Sequence, residues 1–254
     1  MLAKVLRLLP IAAAAALALP ASAGEVTLSN IKGDWSNALP AANATYFNGN
    51  TATPQVRWGI GANQSGYNFS AVAGPLEYTL PPNTPTFALG TFQHLNFPIQ
   101  AGSSITSVKL QVTTNVNIDG NDLGDKNFFF DFTHNETDNG ADPCANGGPN
   151  GNPPNQHGCA DSVKVAYNTQ SDVFEVDGEE YTLNVFGFSL SPDGSNPFTE
   201  WWTAETLLNS AYLVANITLK DQVGPPSEIP EPSTFALAGL AVLGLAAARR
   251  RKAG

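Results

Sequence analysis

The chain has 254 residues, of which 42% are hydrophobic and only 13% charged, with 22 acidic residues against 12 basic ones and a formal net charge of −10. Two basic residues, Lys4 and Arg7, lie in the N-terminal leader and four, Arg249, Arg250, Arg251 and Lys252, at the end of the tail; all 22 acidic residues lie from Glu25 to Glu231, so the part between the leader and that basic cluster carries about −16. Such a field repels nucleic acid and anionic lipid, and leaves cations, neutral glycans or plain solubility as its uses.

In chain order, Lys4 and Arg7 precede an apolar run from Leu8 to Leu19, closed by Ala21-Ser22-Ala23. A short basic region, an apolar core and a small-x-small site make a secretory signal peptide over 1–23, with the mature chain beginning at Gly24. Gly24 to Asn50 is rich in Asn, Ala and Thr, with Trp35 as its large residue. Short strands are expected at Val56–Ile60, Tyr67–Phe69 and Thr86–Phe92, with Pro81-Pro82-Asn83-Thr84-Pro85 as a loop that cannot lie inside a sheet.

From Ile105 the period of two is plain. Val108, Leu110, Val112, Val116 and Ile118 fall on one face, opposite Ser107, Lys109, Gln111, Thr113, Asn115 and Asn117. Phe128, Phe130 and Phe132 share a face; Val163, Val165 and Tyr167 share another. Val173–Val176 and Tyr181–Val185 flank Asp177-Gly178, a type I′ hairpin signal, and Leu213, Ala215, Ile217 and Leu219 alternate in the last strand. Phe198–Asn209 is the one segment that fits a helix, although Trp201-Trp202 also fits a strand edge. Short alternating strands without a βαβ rhythm predict an antiparallel β-sandwich, jelly-roll-like, over 24–222, followed by a linker at 223–228.

Cys144 and Cys159 bracket a segment of Gly, Asn and Pro with almost no apolar residue. An even pair this close in an exported chain predicts a disulfide, whereas a zinc site would need more soft ligands than His157 supplies.

Candidate chemistry is sparse. Asp119-Gly120-Asn121-Asp122-Leu123-Gly124-Asp125 resembles the start of an EF-hand loop, but Leu123 stands at position five and Phe130 at position twelve. A looser calcium site from Asp119, Asn121, Asp122 and Asp125 stands beside the plainer reading of a polar hairpin turn. His94, His134 and Glu136 sit near strand ends; if those strands are neighbours they form a mixed nitrogen and oxygen metal site, and otherwise they pack loops. Trp201 and Trp202 are candidates for stacking on sugar rings, or for core and edge packing. No Gly-x-Ser-x-Gly or His-Glu-x-x-His motif occurs. The expectation is a protein without catalytic residues and without a cofactor, calcium being the one ion the turns allow.

The tail reads Ile229-Pro230-Glu231-Pro232-Ser233-Thr234, an apolar run from Phe235 to Ala248, then Arg249-Arg250-Arg251-Lys252. Two prolines keep the first part extended. About 14 apolar residues rise roughly 21 Å as a helix, short of the ~30 Å hydrocarbon core. The basic cluster holds that end on the cytoplasmic side. This order over 229–254 resembles the PEP-CTERM sorting signal of Gram-negative bacteria. The resemblance implies recognition by the membrane enzyme exosortase near Pro230, Glu231, Pro232 and Ser233, a transient stay in the inner membrane as a transmembrane sorting helix, and delivery to the cell surface. The body resembles the choice-of-anchor K domain through Thr91–Ile99, Phe132-Thr133-His134-Asn135-Glu136-Thr137 and the Cys144/Cys159 pair. It departs at Gln93-His94, where Thr-His is expected, and at Thr137-Asp138-Asn139, where Thr-Pro-Asn is expected. Together they imply a non-enzymatic surface or matrix protein associated with exopolysaccharide, biofilm or floc, with no nucleic-acid partner. The alternatives are a carbohydrate-binding module, with Trp58, Trp201 or Trp202 exposed on a flat face, and a glycan hydrolase or lyase with two carboxylates in a groove.

Overall fold

The computed structural model describes residues 24–80 and 83–223. The leader (1–23), the sorting segment (229–254) and the linker beyond Val223 lie outside the described residues.

The described chain forms β1 (Gly24–Leu39), β2 (Ala44–Phe47), β3 (Gln55–Trp58), β4 (Ser65–Ala71), β5 (Leu76–Leu80), β6 (Phe87–Asn96), β7 (Ser107–Ile118), β8 (Asn121–Asn135), β9 (Asp161–Tyr167), β10 (Phe174–Val176), β11 (Glu179–Ser189), β12 (Glu200–Thr203) and β13 (Leu207–Leu219). They build two antiparallel sheets, ordered β12-β9-β8-β7-β1-β5 and β10-β11-β13-β6-β4-β3-β2. The protein is thus the antiparallel β-sandwich that the alternation predicts.

Packing follows the period of two. Along β7 every second residue from Val108 to Ile118 is buried, and Phe128, Phe130 and Phe132 of β8 extend the same inner face. The opposite sheet answers with Trp58, Tyr67, Phe69, Phe92 and Phe188, all fully buried. Phe92 and Phe132 stack across the gap with ring centroids 5.2 Å apart, and Trp35 meets Phe132 edge-on at 5.1 Å. These side chains carry the largest apolar areas in the chain, and their burial drives the two sheets together.

β1 is the longest strand and was not visible as one in the periodicity. Its inward set is Val26 and Leu28, then Ile31, Gly33 and Trp35, then Ala38. The register against β7 slips between Ser29 and Lys32 and again between Ser36 and Leu39. At each slip an asparagine, Asn30 or Asn37, adopts φ +53. Each slip is a β-bulge that inserts one residue and hands the inward face to the next position. Buried Thr114 faces the first bulge and donates its hydroxyl to the Ser29 carbonyl at 2.8 Å.

Of the two readings of Phe198–Asn209, the structure takes the strand edge and not the helix. β12 pairs with β9 there, and β13 begins at Leu207. Alternation decides it: Trp201 points inward onto Phe188 (5.7 Å) and Phe92 (6.1 Å), whereas Trp202 faces the other way. The pairing with β9 makes β12 the edge of that sheet.

Candidate metal centre

At one end of the sandwich the inner faces stop being apolar. On β8 the inward sequence Phe128, Phe130, Phe132 continues into His134, and then into Glu136 just past the strand. On β12 the inward residues Trp201 and Thr203 continue into Glu205. Asp161 opens β9 between them: Asn135 pairs with Ser162 and Thr203 with Asp161, which sets Glu136, Asp161 and Thr203 side by side on the inner face. From the facing sheet come Tyr67 of β4 and His94 of β6, which pair with each other, and Asn96 two residues further on. Trp58 closes the assembly, with its ring centroid 4.7 Å from Tyr67 and 5.0 Å from His134.

One donor atom each from His134, Glu136 and Asp161 lie within 4.8 Å of one another, and among the described residues no other group of three His, Cys, Asp or Glu does so. His134 Nε2 stands 3.5 Å from Glu136 Oε2, while its Nδ1 is 2.8 Å from the Tyr67 hydroxyl. Asp161 Oδ1 accepts the Thr137 backbone N–H at 2.7 Å, and its Oδ2 is buried without a partner. Glu205 is wholly buried with neither carboxylate oxygen hydrogen-bonded. Asn209 holds this turn: its side-chain amide accepts from Ala204 N–H and donates to Ala204 C=O, both at 2.9 Å, so that Glu205 is presented inward.

His94 belongs to a supporting layer. The Thr203 hydroxyl donates its single proton to the Asp161 carbonyl at 3.0 Å and meets His94 Nδ1 at 2.8 Å, so Nδ1 carries the ring proton and Nε2 is a bare lone pair. That Nε2 is buried without a partner.

The electrostatics follow from burial. Glu136 is pushed up to about 7 by desolvation, with the neighbouring Ser104 side chain pulling it back in part. Asp161 also rises to about 7, by burial first and the Glu136 charge second. Glu205 reaches about 7 for the same two reasons, with the Asn139 and Asn96 side chains and the Thr206 backbone pulling it back in part. Burial drives His134 down to about 4, so its approach to Glu136 is not an ion pair at neutral pH. His94 is held well below its usual value by burial and by the charge of His134. Among the described residues no Lys or Arg pairs with any of the three carboxylates; the lysines that form ion pairs do so elsewhere, Lys164 with Glu200 and Lys220 with Glu180.

Of the residues singled out from the sequence, the structure unites His94, His134 and Glu136 and adds Asp161, Glu205 and Tyr67, which sequence reasoning missed. The i, i+2 continuation of an apolar strand face into His and Glu is the signal that was available. Asp119, Asn121, Asp122 and Asp125 stay at the exposed β7–β8 hairpin. Asp119 and Gly120 both take positive φ as its two turn residues. The Asp119 carboxylate accepts from Glu25 N–H and Asp122 from Asn115 and Gly124, each at 2.8 Å. Trp58 is fully buried, Trp201 packs into the core and Trp202 is half-buried on the opposite side of β12, so the three share no flat exposed face. A separate groove of about 580 Å³ runs between β9 and β11, lined by Val165, Tyr167, Val185, Phe186 and Thr199 without a tryptophan. Cys144 and Cys159 form a disulfide. Inside its loop, buried Asn155 bonds to Asn146, the Pro149 carbonyl and the Ala160 N–H.

Residues 228–252 match the PEP-CTERM protein-sorting motif. That motif is a recognition signal for exosortase and marks the chain for export and membrane-anchored sorting. A comparison with curated protein sequences returns no match. Pro230, Glu231, Pro232, Ser233, Arg249, Arg250 and Arg251 fall inside the match and outside the described residues.

Proposed function

We propose that the chain is a non-enzymatic surface or matrix protein. A signal peptide at 1–23 exports it, an exosortase sorts it through Pro230-Glu231-Pro232, and its β-sandwich works in the exopolysaccharide, biofilm or floc outside the cell. The sorting match over 228–252 carries this reading. The likeness of the body to choice-of-anchor K domains, which are joined to varied anchoring signals, supports it.

The sandwich supports a role without catalysis. Asp161 and Glu205 are fully buried, so two of its three carboxylates of raised pKa lie where a glycan chain has no access. A carbohydrate-binding role lacks its expected platform, since the tryptophans are buried or turned to different sides.

The test is the mass and location of the protein in its native host, with and without Pro230, Glu231 and Pro232 changed to Ala. Loss of the tail and release from the inner membrane, both abolished by the substitution, is the expected result. An intact tail resident in the inner membrane, in both forms, would overturn the surface role.

A further inference from the structure

We infer that His134 Nε2, Glu136 and Asp161 hold one divalent transition-metal ion of the manganese or zinc class, with Glu205 as the adjoining buried carboxylate, and that this ion pins both ends of the segment 137–160 to the end of the sandwich.

The donor atoms are within reach of one another. Ligand atoms bound to one small cation at about 2.0–2.2 Å lie roughly 3–4.4 Å apart, and this set lies within 4.8 Å, with His134 Nε2 and Glu136 Oε2 3.5 Å apart. A shift of a few tenths of an ångström closes the set on an ion.

A cluster of acids is common without a metal, but this one has donors with nothing else to do. Asp161 Oδ2, both Glu205 oxygens, Asn96 Oδ1 and Asn139 Oδ1 are buried and unpartnered. An uncompensated buried carboxylate costs several kcal/mol, so Asp161 and Glu205, with part-buried Glu136 beside them, require either protons or a cation. Protons shared between carboxyls would join them by short O–H···O bonds, typically about 2.5–2.7 Å. Among the described residues no carboxyl of the cluster bonds to another; Asp161 instead accepts from a backbone N–H and Glu136 faces an imidazole.

The outer layer has the form that metal ligands require. With an ion on Nε2 the ring proton sits on Nδ1 and is donated to the Tyr67 hydroxyl oxygen, 2.8 Å away, which leaves the Nε2 lone pair facing the carboxylates. The Thr137 N–H orients Asp161 through its other oxygen. An imidazole among carboxylates suits manganese or zinc, whereas calcium takes an all-oxygen shell of six to eight ligands. The Glu136 side chain is 20% exposed and gives the ion a way in. Glu136 and Asp161 stand immediately before and after the disulfide-bearing segment, so one ion closes that loop at its base independently of how the chain is sorted.

The test uses the protein isolated from its host, before and after chelation. Elemental mass spectrometry should find about one manganese or zinc ion per chain. Adding Mn²⁺ or Zn²⁺ alone to the stripped protein should raise its Tm, with Ca²⁺ and Mg²⁺ having much less effect. Asp161→Asn should weaken binding at least tenfold, yet melt no lower than the stripped wild type, because an amide of the same shape removes a buried charge. Glu136→Gln serves as the second variant, since its partial exposure spares the fold. Retention of the ion in both variants overturns the site. So does a stripped protein whose Tm no metal changes, which would leave the carboxyls proton-held. Stabilisation by Ca²⁺ in preference to Mn²⁺ and Zn²⁺ overturns the metal class.

Discussion

The Tyr67 hydroxyl and His134 Nδ1 meet at 2.8 Å across the two sheets, one residue from β4 and the other from β8. Both are fully buried, and the Tyr67 phenol is pushed well above 10 by burial and then by the charges of Asp161 and Glu136. It therefore stays neutral and fixes which imidazole nitrogen faces the carboxylates. Tyr67→Phe keeps the ring packing and deletes only this bond. We expect the affinity for Mn²⁺ or Zn²⁺, read by isothermal titration, to fall about 10- to 100-fold. Leaving Nδ1 unpaired should also cost about 1–3 kcal/mol in urea unfolding. Unchanged affinity would mean that Tyr67 only fills space.

Phe132 is the hinge of the core, since it stacks on Phe92 and touches Trp35, Tyr67 and Phe188. Phe132→Ala removes a ring from a site that the two sheets cannot collapse upon. The expected loss is about 3–5 kcal/mol in denaturant unfolding. A loss below about 1 kcal/mol would show that the sheets close over the gap.

β7 and the second half of β8 were legible because they alternate with one face toward the core, and β13 because its apolar residues recur every second position although it is buried from Leu213 to Thr218. β1 was not, because each bulge moves the inward face by one position and breaks the count that periodicity relies on. β5 hid for another reason: its alternation over Leu76–Leu80 is short and its inward Leu76 and Tyr78 are only part-buried. At the site, His94, His134 and Glu136 could be picked out as residues near strand ends, but Asp161 and Glu205 could not. Asp161 reaches Glu136 only because β9 returns beside β8 after the long disulfide segment. Glu205 reaches them through a two-strand offset and a turn in which Thr206 takes φ +61. Neighbourhood of that kind is decided by sheet order, which local pattern does not contain.

Asn30 and Asn37 offer a direct test of the bulges. Both side chains are exposed and both backbones sit at φ +53, so little beyond backbone preference distinguishes substitutions there. Asparagine tolerates this region better than other residues with a Cβ, and glycine is freer still. Asn37→Gly should unfold within about 0.5 kcal/mol of wild type, whereas Asn37→Val should cost about 1–2 kcal/mol. Equal stability of the two variants would remove the positive φ as the reason for asparagine.

The alkaline limb of stability should carry Tyr78. Its ring stacks on Phe87 at 4.4 Å, and burial raises its phenol from 10 to about 12. The unfolded chain therefore loses this proton near pH 10 while the folded chain holds it, and stability falls as pH rises from about 10 to about 12. Below pH 10 the group contributes no slope. Urea midpoints between pH 9 and 11.5 should fall less steeply in Tyr78→Phe than in wild type; parallel curves would exclude Tyr78 as a source of the loss.

The Cys144–Cys159 disulfide spans 15 residues of a segment that supplies almost no core. Its contribution is the loop entropy it removes from the unfolded chain, about 3 kcal/mol for a loop of this length. The base of the segment is held separately: Thr137 donates its N–H to Asp161, and its hydroxyl lies 3.1 Å from the Cys159 carbonyl. Replacing both cysteines by Ala should therefore lower stability by about 3 kcal/mol while leaving metal affinity within a few-fold of wild type. Hydrogen exchange should then quicken within 144–159 and stay slow in β8 and β9. If exchange quickened in those strands as well, or if the metal were lost, the disulfide rather than Thr137 and the ion would be what fixes Glu136 against Asp161.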